Sequence, residues 1–333
     1  MNTNTATTTF SSADFGSFLS RPASELSLDL SNASMLDVIS HYEAFKRRTM
    51  PTYSADTIRH NITQLQEAFR CTIVPKQIND IFYSYFISYL RNKGLAYSTI
   101  STYCSYMRSV LKWGIRHNCP VSSTYDCFTI PKSKSDKIYL TPDQISHIYH
   151  FDVRAIDHKE IRKAHTSHNI LERVRDHLVL SCSLGQRFSD MSRIEPEHFD
   201  VTRTRFTIVQ QKTGNKAVIN VPEWAIDRRV VYDILAKYSY SAPYKDNISN
   251  YNKFVKFLLK SIGGEFLNDV VSEHKIDGEI KRTSTPFYKM VSSHTARRTF
   301  VCYHLIQGRR EIDIRKCTGH ADARSFSTYD VRE

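Results

Sequence analysis

Six residues in the second half of the 333-residue chain are of types that could act on an anion. Arg187 sits in Gly185-Gln-Arg-Phe-Ser-Asp190, between two helical stretches, where a side chain can project into a cleft. Lys212 lies beside Gly214, at the tip of an expected hairpin. His294 and Arg297 stand three apart at the opening of a helix, so both face one side. His320 follows Gly319, at another expected helix start, and Tyr329 comes nine residues later. Each has an ordinary reading alone: a surface ion-pair arginine, a soluble turn lysine, a capping histidine, a packing tyrosine. The joint set combines anion-binding cations with groups able to give or take a proton and a phenol able to attack through oxygen.

Composition agrees with an anionic partner. Lys and Arg total 46 against 34 Asp and Glu, a formal charge of +12 with pI about 9.3. Such a surplus in a soluble chain favours a polyanion, nucleic acid before membrane. No apolar run of about 18 residues is present to span a bilayer. Hydrophobic residues make up 41% of the chain, enough to fill real cores and exclude wholesale disorder. The seven cysteines are scattered without a CxxC pair, against both a disulfide framework and a zinc ribbon. His165-x-x-His168, with His177 and Cys182 nearby, forms no evident closed ligand set, so neither metal nor cofactor is expected. Residues 1–35 read as a polar, mobile tail. They lack the basic start and apolar run of a signal peptide, so a cytoplasmic, nucleoid-associated protein is expected.

The elements that must position these groups fall into two units. Residues 36–119 read as a four-helix unit: Leu36–Arg48, Ala55–Arg70, Asn79–Asn92 and Ser98–His117. In the third, Phe82, Tyr85, Phe86, Tyr89 and Leu90 are expected to face the core. The fourth has Ser98 as its expected N-cap and Ile100, Tyr103, Met107, Val110 and Leu111 on its apolar side. Its polar face, Ser98, Thr102, Ser105, Arg108, Lys112 and Arg116, is either a groove-entering surface or merely solvated. Residues 120–138 read as an extended basic linker containing Lys132 and Lys134, a solvated tether or one that rides along phosphates. Residues 139–333 open at Thr141-Pro142-Asp143-Gln144, a cap with Pro at the first helical position. Helices are expected near 169–182, 223–238, 250–261, 294–307 and 311–317. A hairpin over 205–221 turns at Gly214, and a second strand pair is expected within 264–291 around Asp277-Gly278. The fold class is mainly α with a small β-sheet.

These residues carry a resemblance. Arg187-Phe-Ser-Asp190, Ser293-His294-Thr-Ala-Arg297-Arg298-Thr299-Phe300 and Thr318-Gly319-His320 followed by Tyr329 closely resemble the boxes of the tyrosine recombinases, the phage-integrase family. The steps fit too: 25 residues from Arg187 to Lys212, 23 from Arg297 to His320, nine from His320 to Tyr329. The form is most similar to integrases of mobile elements in Bacteroides-type bacteria, with 264–290 as an insertion. Gly94-Leu-Ala-Tyr-Ser98-Thr-Ile-Ser-Thr-Tyr followed by Leu111-Lys-Trp113 resembles the last helices of the family's core-binding domain. The resemblance covers residues 36–329. It implies a helical, SAM-like core-binding domain followed by an α+β tyrosine-recombinase catalytic domain.

The resemblance also implies roles. Arg187 and Arg297 fork onto non-bridging phosphate oxygens and stay charged at any working pH. Lys212 protonates the departing 5′ oxygen. His294 is the general base or a second acid, His320 a hydrogen-bond donor to the phosphate, and Tyr329 the nucleophile that forms a 3′-phosphotyrosyl link. Asp190 either orients one of the basic residues or caps a helix beside Ser189. Implied partners are duplex DNA, a homotetramer on two DNA sites and accessory proteins, with no membrane. The expected function is site-specific recombination, metal- and ATP-independent, in integration, excision or inversion of a DNA element. A catalytically silent DNA-binding protein on the same scaffold and a type IB topoisomerase-like strand relaxer are the competing readings.

Overall fold

Local signals in the sequence set the helix ends of the first unit. A computed structural model describes residues 28–51, 53–127, 138–276, 279–320, 326 and 329, without side chains for 274–281. The chain divides into two compact units, 1–134 and 135–333, each with its own hydrophobic core. In the first, Ser34 caps α1 (Met35–Arg47) in a reciprocal box with Asp37. α2 (Asp56–Phe69) ends on Arg70 in the left-handed region. Asn79 caps α3 (Asp80–Asn92), and α4 (Tyr97–Ile115) follows. The expected four-helix unit is therefore present.

Three details of that unit differ from expectation. The N-cap of α4 is Ala96, whose extended backbone starts the helix without a side-chain bond, so Ser98 lies inside the first turn. Phe86 and Leu90 are buried as expected, but Tyr85 is 75% exposed, because α3 buries only the stripe that faces α4. The tail expected over 1–35 is replaced from Leu28 onward by packed chain: Leu30 is buried, and its N–H donates to the His117 carbonyl at 2.9 Å.

In the second unit Thr141 and Gln144 form a capping box for α5 (Pro142–His150), with Pro142 at the first turn. The short α6 (His158–Lys163) leads to α7 (His168–Leu184), whose buried face runs from Leu171 to Leu184 and makes it the spine of the unit. Gly185 ends α7 at φ +61°, and a Cβ there would lie 2.6 Å from Phe300 Cδ1, so glycine serves both the turn and the close approach. After α8 (Phe188–Met191), β1 (Arg205–Val209) and β2 (Lys216–Asn220) pair antiparallel, Phe206 opposite Ile219 and Ile208 opposite Ala217. The helix expected over 223–238 is two, α9 (Val221–Trp224) and α10 (Arg228–Lys237), because Asp227 restarts the chain as an N-cap. α11 (Ile248–Ile262) precedes a second antiparallel pair, β3 (Asp269–Ile276) and β4 (Glu279–Pro286), where a strand pair was expected. α12 (Phe287–Met290), α13 (Ser293–Ile306) and α14 (Glu311–Thr318) complete the unit. The architecture is mainly helical with small antiparallel sheets. None of the described helices is long and apolar enough to cross a membrane.

Candidate active site

α13 packs against α7 and supplies the centre of the site. Arg297, on its first turns, is fully buried. Its Nη1 donates to the Gly185 carbonyl at 3.1 Å and its Nη2 to His320 Nε2 at 3.0 Å. Burial, then the charge of Arg187, pushes this guanidinium down to about 10, while Tyr329 pulls it back up; Arg297 remains charged at neutral pH. A cation this enclosed is a costly arrangement without an anion to meet it.

One turn earlier on the same face stands His294. Its Nε2 lies 2.8 Å from Tyr329 Oη, and Tyr329 is itself buried. Burial, then the charges of Arg298, Arg297, Arg187 and Lys212, pushes the His294 imidazole down to about 4. The residue keeps exposed surface, so water screens part of that effect. The direction still leaves a neutral ring at neutral pH, and a neutral ring can accept the phenolic proton. That set of charges puts Arg187, Lys212 and Arg297, three of the expected residues, in one electrostatic field with His294.

His320 enters from another segment. It does not begin a helix, as expected; Gly319 at φ +63° caps the C-terminal end of α14, and His320 N–H donates to the Arg315 carbonyl at 3.1 Å. The Thr318 hydroxyl donates to the Ile314 carbonyl at 2.8 Å and lies 2.7 Å from His320 Nδ1. With its proton committed, that hydroxyl accepts from Nδ1–H, and Nε2 presents its lone pair to Arg297. Burial and the charges of Arg297 and Arg187 push His320 down to about 3. A phosphate that gave Arg297 a new acceptor would free Nε2 and favour its protonation.

Arg187 is the N-cap of α8, and its Nη1 donates to Gln210 Oε1 at 2.7 Å. Lys212 is exposed in the turn between β1 and β2. Asp190 neither caps a helix nor bonds Arg187. It is fully buried and accepts from Arg193 Nη2 at 3.0 Å and from the Gln211 N–H at 2.8 Å, which pins the turn beside Lys212. Arg187, Ser189, Gln211 and His294 line a cleft of about 520 Å³ at this site. The cleft of about 800 Å³ lined by Trp224, Arg309 and Lys316 among others holds none of the six.

Several residues with positions in the site were not singled out in the sequence. Gln186 and Gln210 are buried amides between the Arg187 turn and the end of α14. Arg298, half-buried, donates from Nη1 to the Ile138 carbonyl at 3.2 Å, and Thr299 Oγ1 accepts from Leu140 N–H at 2.9 Å. The sequence signals for these were proximity to Arg187 and Lys212 for the two glutamines and, for Arg298 and Thr299, their place in the box around Arg297.

The other expected groups stand elsewhere. Ser98, Thr102, Ser105, Lys112 and Arg116 are exposed along one face of α4, whereas Arg108 is half-buried beside Tyr83 and Cys104. Lys132 and Lys134 lie outside the described residues. His177 is fully buried against Phe188 and Tyr251, and His168 Nε2 meets the Ile156 carbonyl at 2.9 Å.

No protein-family model and no curated protein matches the chain. Solved structures do share its fold. The Tn1549 transposon integrase in complex with a circular intermediate DNA matches at TM-score 0.60 and 14% identity, over 90% of this chain and 95% of that one. A lambda integrase tetramer bound to a Holliday junction matches at TM-score 0.58 and 14% identity, over 94% and 83%. A lambda integrase dimer bound to a COC' core site matches at TM-score 0.56 and 15% identity, over 88% and 93%. The fold, including that of the second unit, is therefore the one these integrases have.

Proposed function

We propose that the chain is a site-specific DNA recombinase of the tyrosine type, acting on duplex DNA. The observation that carries this reading is the 2.8 Å contact from Tyr329 Oη to a neutral His294, with buried Arg297 beside both. A phosphodiester repels nucleophiles, and metal-free cleavage needs cations where charge builds up. Arg297 and Arg187 take the non-bridging oxygens. His294 accepts the phenolic proton as Tyr329 oxygen bonds phosphorus. The bond from phosphorus to the 5′ oxygen breaks, and Lys212 gives that oxygen a proton. The product is a 3′-phosphotyrosyl link and a free 5′-hydroxyl. Attack by a 5′-hydroxyl of another strand reverses the same steps and rejoins the DNA without ATP.

The structural neighbours include a tetramer on a Holliday junction, which supports a tetramer on two DNA sites here. They also include the integrase of a transposon, which supports a role in moving or rearranging a DNA element. Accessory proteins are further partners on this reading. The reading places the protein at the nucleoid. A silent DNA-binding protein has no use for the Tyr329–His294 contact. A strand relaxer shares the chemistry but joins no partner site.

The test begins with a pool of nicked duplexes randomised over the core, incubated with the full chain and captured as detergent-stable covalent adducts. Wild-type protein is expected to enrich a duplex family and to join two such duplexes. Tyr329→Phe is expected to bind the enriched duplex and form no adduct. Adducts persisting in Tyr329→Phe overturn the assignment. Relaxation of supercoiled DNA without joining favours the relaxer instead.

A further inference from the structure

Gln210 follows β1 and Gln186 follows the Gly185 turn; both side chains are about 1% exposed and neither carries charge. Gln186 Nε2 donates to the Leu184 carbonyl at 2.8 Å and to the Cys317 carbonyl at 2.7 Å. Its Oε1 accepts from Gln210 Nε2 at 2.9 Å, and the second proton of Gln210 Nε2 goes to the Thr318 carbonyl at 2.7 Å. Gln210 Oε1 accepts twice, from Arg187 Nη1 at 2.7 Å and from Thr213 Oγ1 at 3.1 Å. One amide thus uses both protons and both lone pairs on three segments: the Arg187 turn, the Lys212 turn and the end of α14 just before His320.

The backbone around it is shaped to the same end. Gly214 N–H donates to the Gln210 carbonyl at 2.8 Å, and Gln210 N–H to the Asn215 carbonyl at 2.9 Å, which closes the turn that carries Lys212. A Cβ on Gly319 would lie 2.6 Å from both Cδ and Oε1 of Gln210. Glycine at 319 therefore leaves the space this amide fills, as well as adopting the left-handed turn. No other amide or carboxylate among the described residues bonds the Arg187 side chain.

We infer that Gln210 is a positioning residue for the proposed cleavage: anchored on the Lys212 turn and the end of α14, it sets the Arg187 guanidinium toward the phosphate. The inference rests on the recombinase reading above. The residue type fits the task. A carboxylate here would pair with Arg187 and compete with the phosphate for its fork, and it has no proton for the Thr318 carbonyl. An apolar side chain would leave the Thr318 and Gln186 oxygens unbonded and Arg187 free to swing. A misplacement of about 1 Å at such a site costs on the order of 100-fold in rate.

The test is a double-mutant cycle on the full chain, with the duplex enriched by covalent capture as substrate. Gln210→Met and Arg187→Ala are made singly and together, and single-turnover adduct formation and duplex affinity are measured. Gln210→Met is expected to slow adduct formation by roughly 10–100-fold with affinity unchanged. Combined with Arg187→Ala it is expected to add only a few-fold, because the group it holds is already gone. Equal fold-losses in the two backgrounds would mark a merely structural amide and overturn the inference. If Gln210→Met does not fold, Gln210→Glu, of the same shape, enters the same cycle with the same expectation. An unslowed Gln210→Glu also overturns it. Wild-type protein that forms no adduct with any duplex sinks the recombinase reading, and this inference with it. Wild-type adduct with additive losses sinks the inference alone.

Discussion

Among the described residues, the first unit buries two polar side chains, Glu43 and Asn61, whereas the second buries many, including Asp176, His177, Gln186, Asp190, Gln210, Arg297, His304 and Thr318. In the first, Glu43 is held by Arg47 at 2.6 Å and by Arg59, and the rest of the core is aliphatic and aromatic, with Tyr42, Tyr106 and Trp113 edge to face. In the second, Gln186, Gln210, Arg297 and Thr318 bond one another or the chain segments between them. Unbonded, each such group costs several kcal/mol to bury. The first unit follows the usual apolar recipe for a helical bundle. The second gives up apolar packing where it must hold cations rigidly, which is what preorganised charge stabilisation requires.

The largest expected effect confines chemistry to the second unit. Lys212→Ala should slow adduct formation on ordinary duplex by about 10²–10⁴-fold, the usual worth of a general acid. On a duplex with a 5′-bridging sulfur, whose thiol has a pKa of about 8.5 and leaves without a proton, the same variant should lose far less. Single-turnover rates on the two substrates measure this. Equal slowing removes Lys212 from its acid role and weakens the contrast between the units.

Glycine replacements come next, because Gly94 in the first unit and Gly185 in the second share the left-handed region but differ in surroundings. Gly94 has φ +74° and nothing within 4 Å of an added Cβ, whereas Gly185 has φ +61° and Phe300 at 2.6 Å. Alanine at either position pays the left-handed cost of about 1–2 kcal/mol. At 185 overpacking adds about 1–3 kcal/mol. Trp113 reports on the first unit and Trp224 on the second, so single-tryptophan variants separate the two transitions in urea. Similar losses at the two positions would mean that the second core yields as easily as open loop.

The same difference explains what could be read from the sequence. The four helices of the first unit were legible because an apolar period of 3.6 needs only local residues. Misreadings there, Ser98 as a cap and Tyr85 as core, came from detail at an end and an edge that tertiary packing decides. In the second unit six candidate residues stood out by type and spacing, and the structure brings the charges of Arg187, Lys212 and Arg297 onto His294. Gln186 and Gln210 were not, because their meaning lies in bonds to Cys317 and Thr318, more than 100 residues away. His320 was misplaced because Gly319 signals a stop as readily as a start, and only the bonds of α14 tell which.

Acid should separate the units by a smaller margin. Burial pushes His177 to about 3, His294 to about 4, His304 to about 4 and His320 to about 3, all in the second unit. Unfolded histidine titrates near 6.5, so as pH falls the unfolded chain takes protons first. The stability of the second unit is therefore whole above about pH 6.5, falls between about 6.5 and 3, and levels off below the folded values. In the first unit Asp37 is held below its ordinary 3.8 by the Ser34 hydroxyl and backbone, so its contribution stays whole down to about 3.8, through most of that window. Urea midpoints followed at Trp224 should drop across the window while those at Trp113 hold. Parallel drops would show that the buried histidines do not set acid stability.

The smallest effects concern the surface of α4, where the first unit is proposed to meet DNA. Ser98, Thr102 and Ser105 share an exposed row with Lys112 and Arg116, and Thr102 Oγ1 is turned back onto the Ser98 carbonyl at 2.9 Å. The row thus offers its two cations more readily than its hydroxyls. If these cations meet phosphates, Lys112→Ala and Arg116→Ala should each weaken duplex binding and reduce the salt slope of affinity by about 1. Arg108 supplies the contrast within the same helix, since its side chain turns toward Tyr83 and Cys104. Arg108→Ala should therefore lower the Trp113 unfolding midpoint and leave the salt slope nearly unchanged. Anisotropy titrations from low to high salt decide between the two behaviours. A slope change at Arg108 as large as at Lys112 would move the DNA-facing surface of α4 around toward Tyr83.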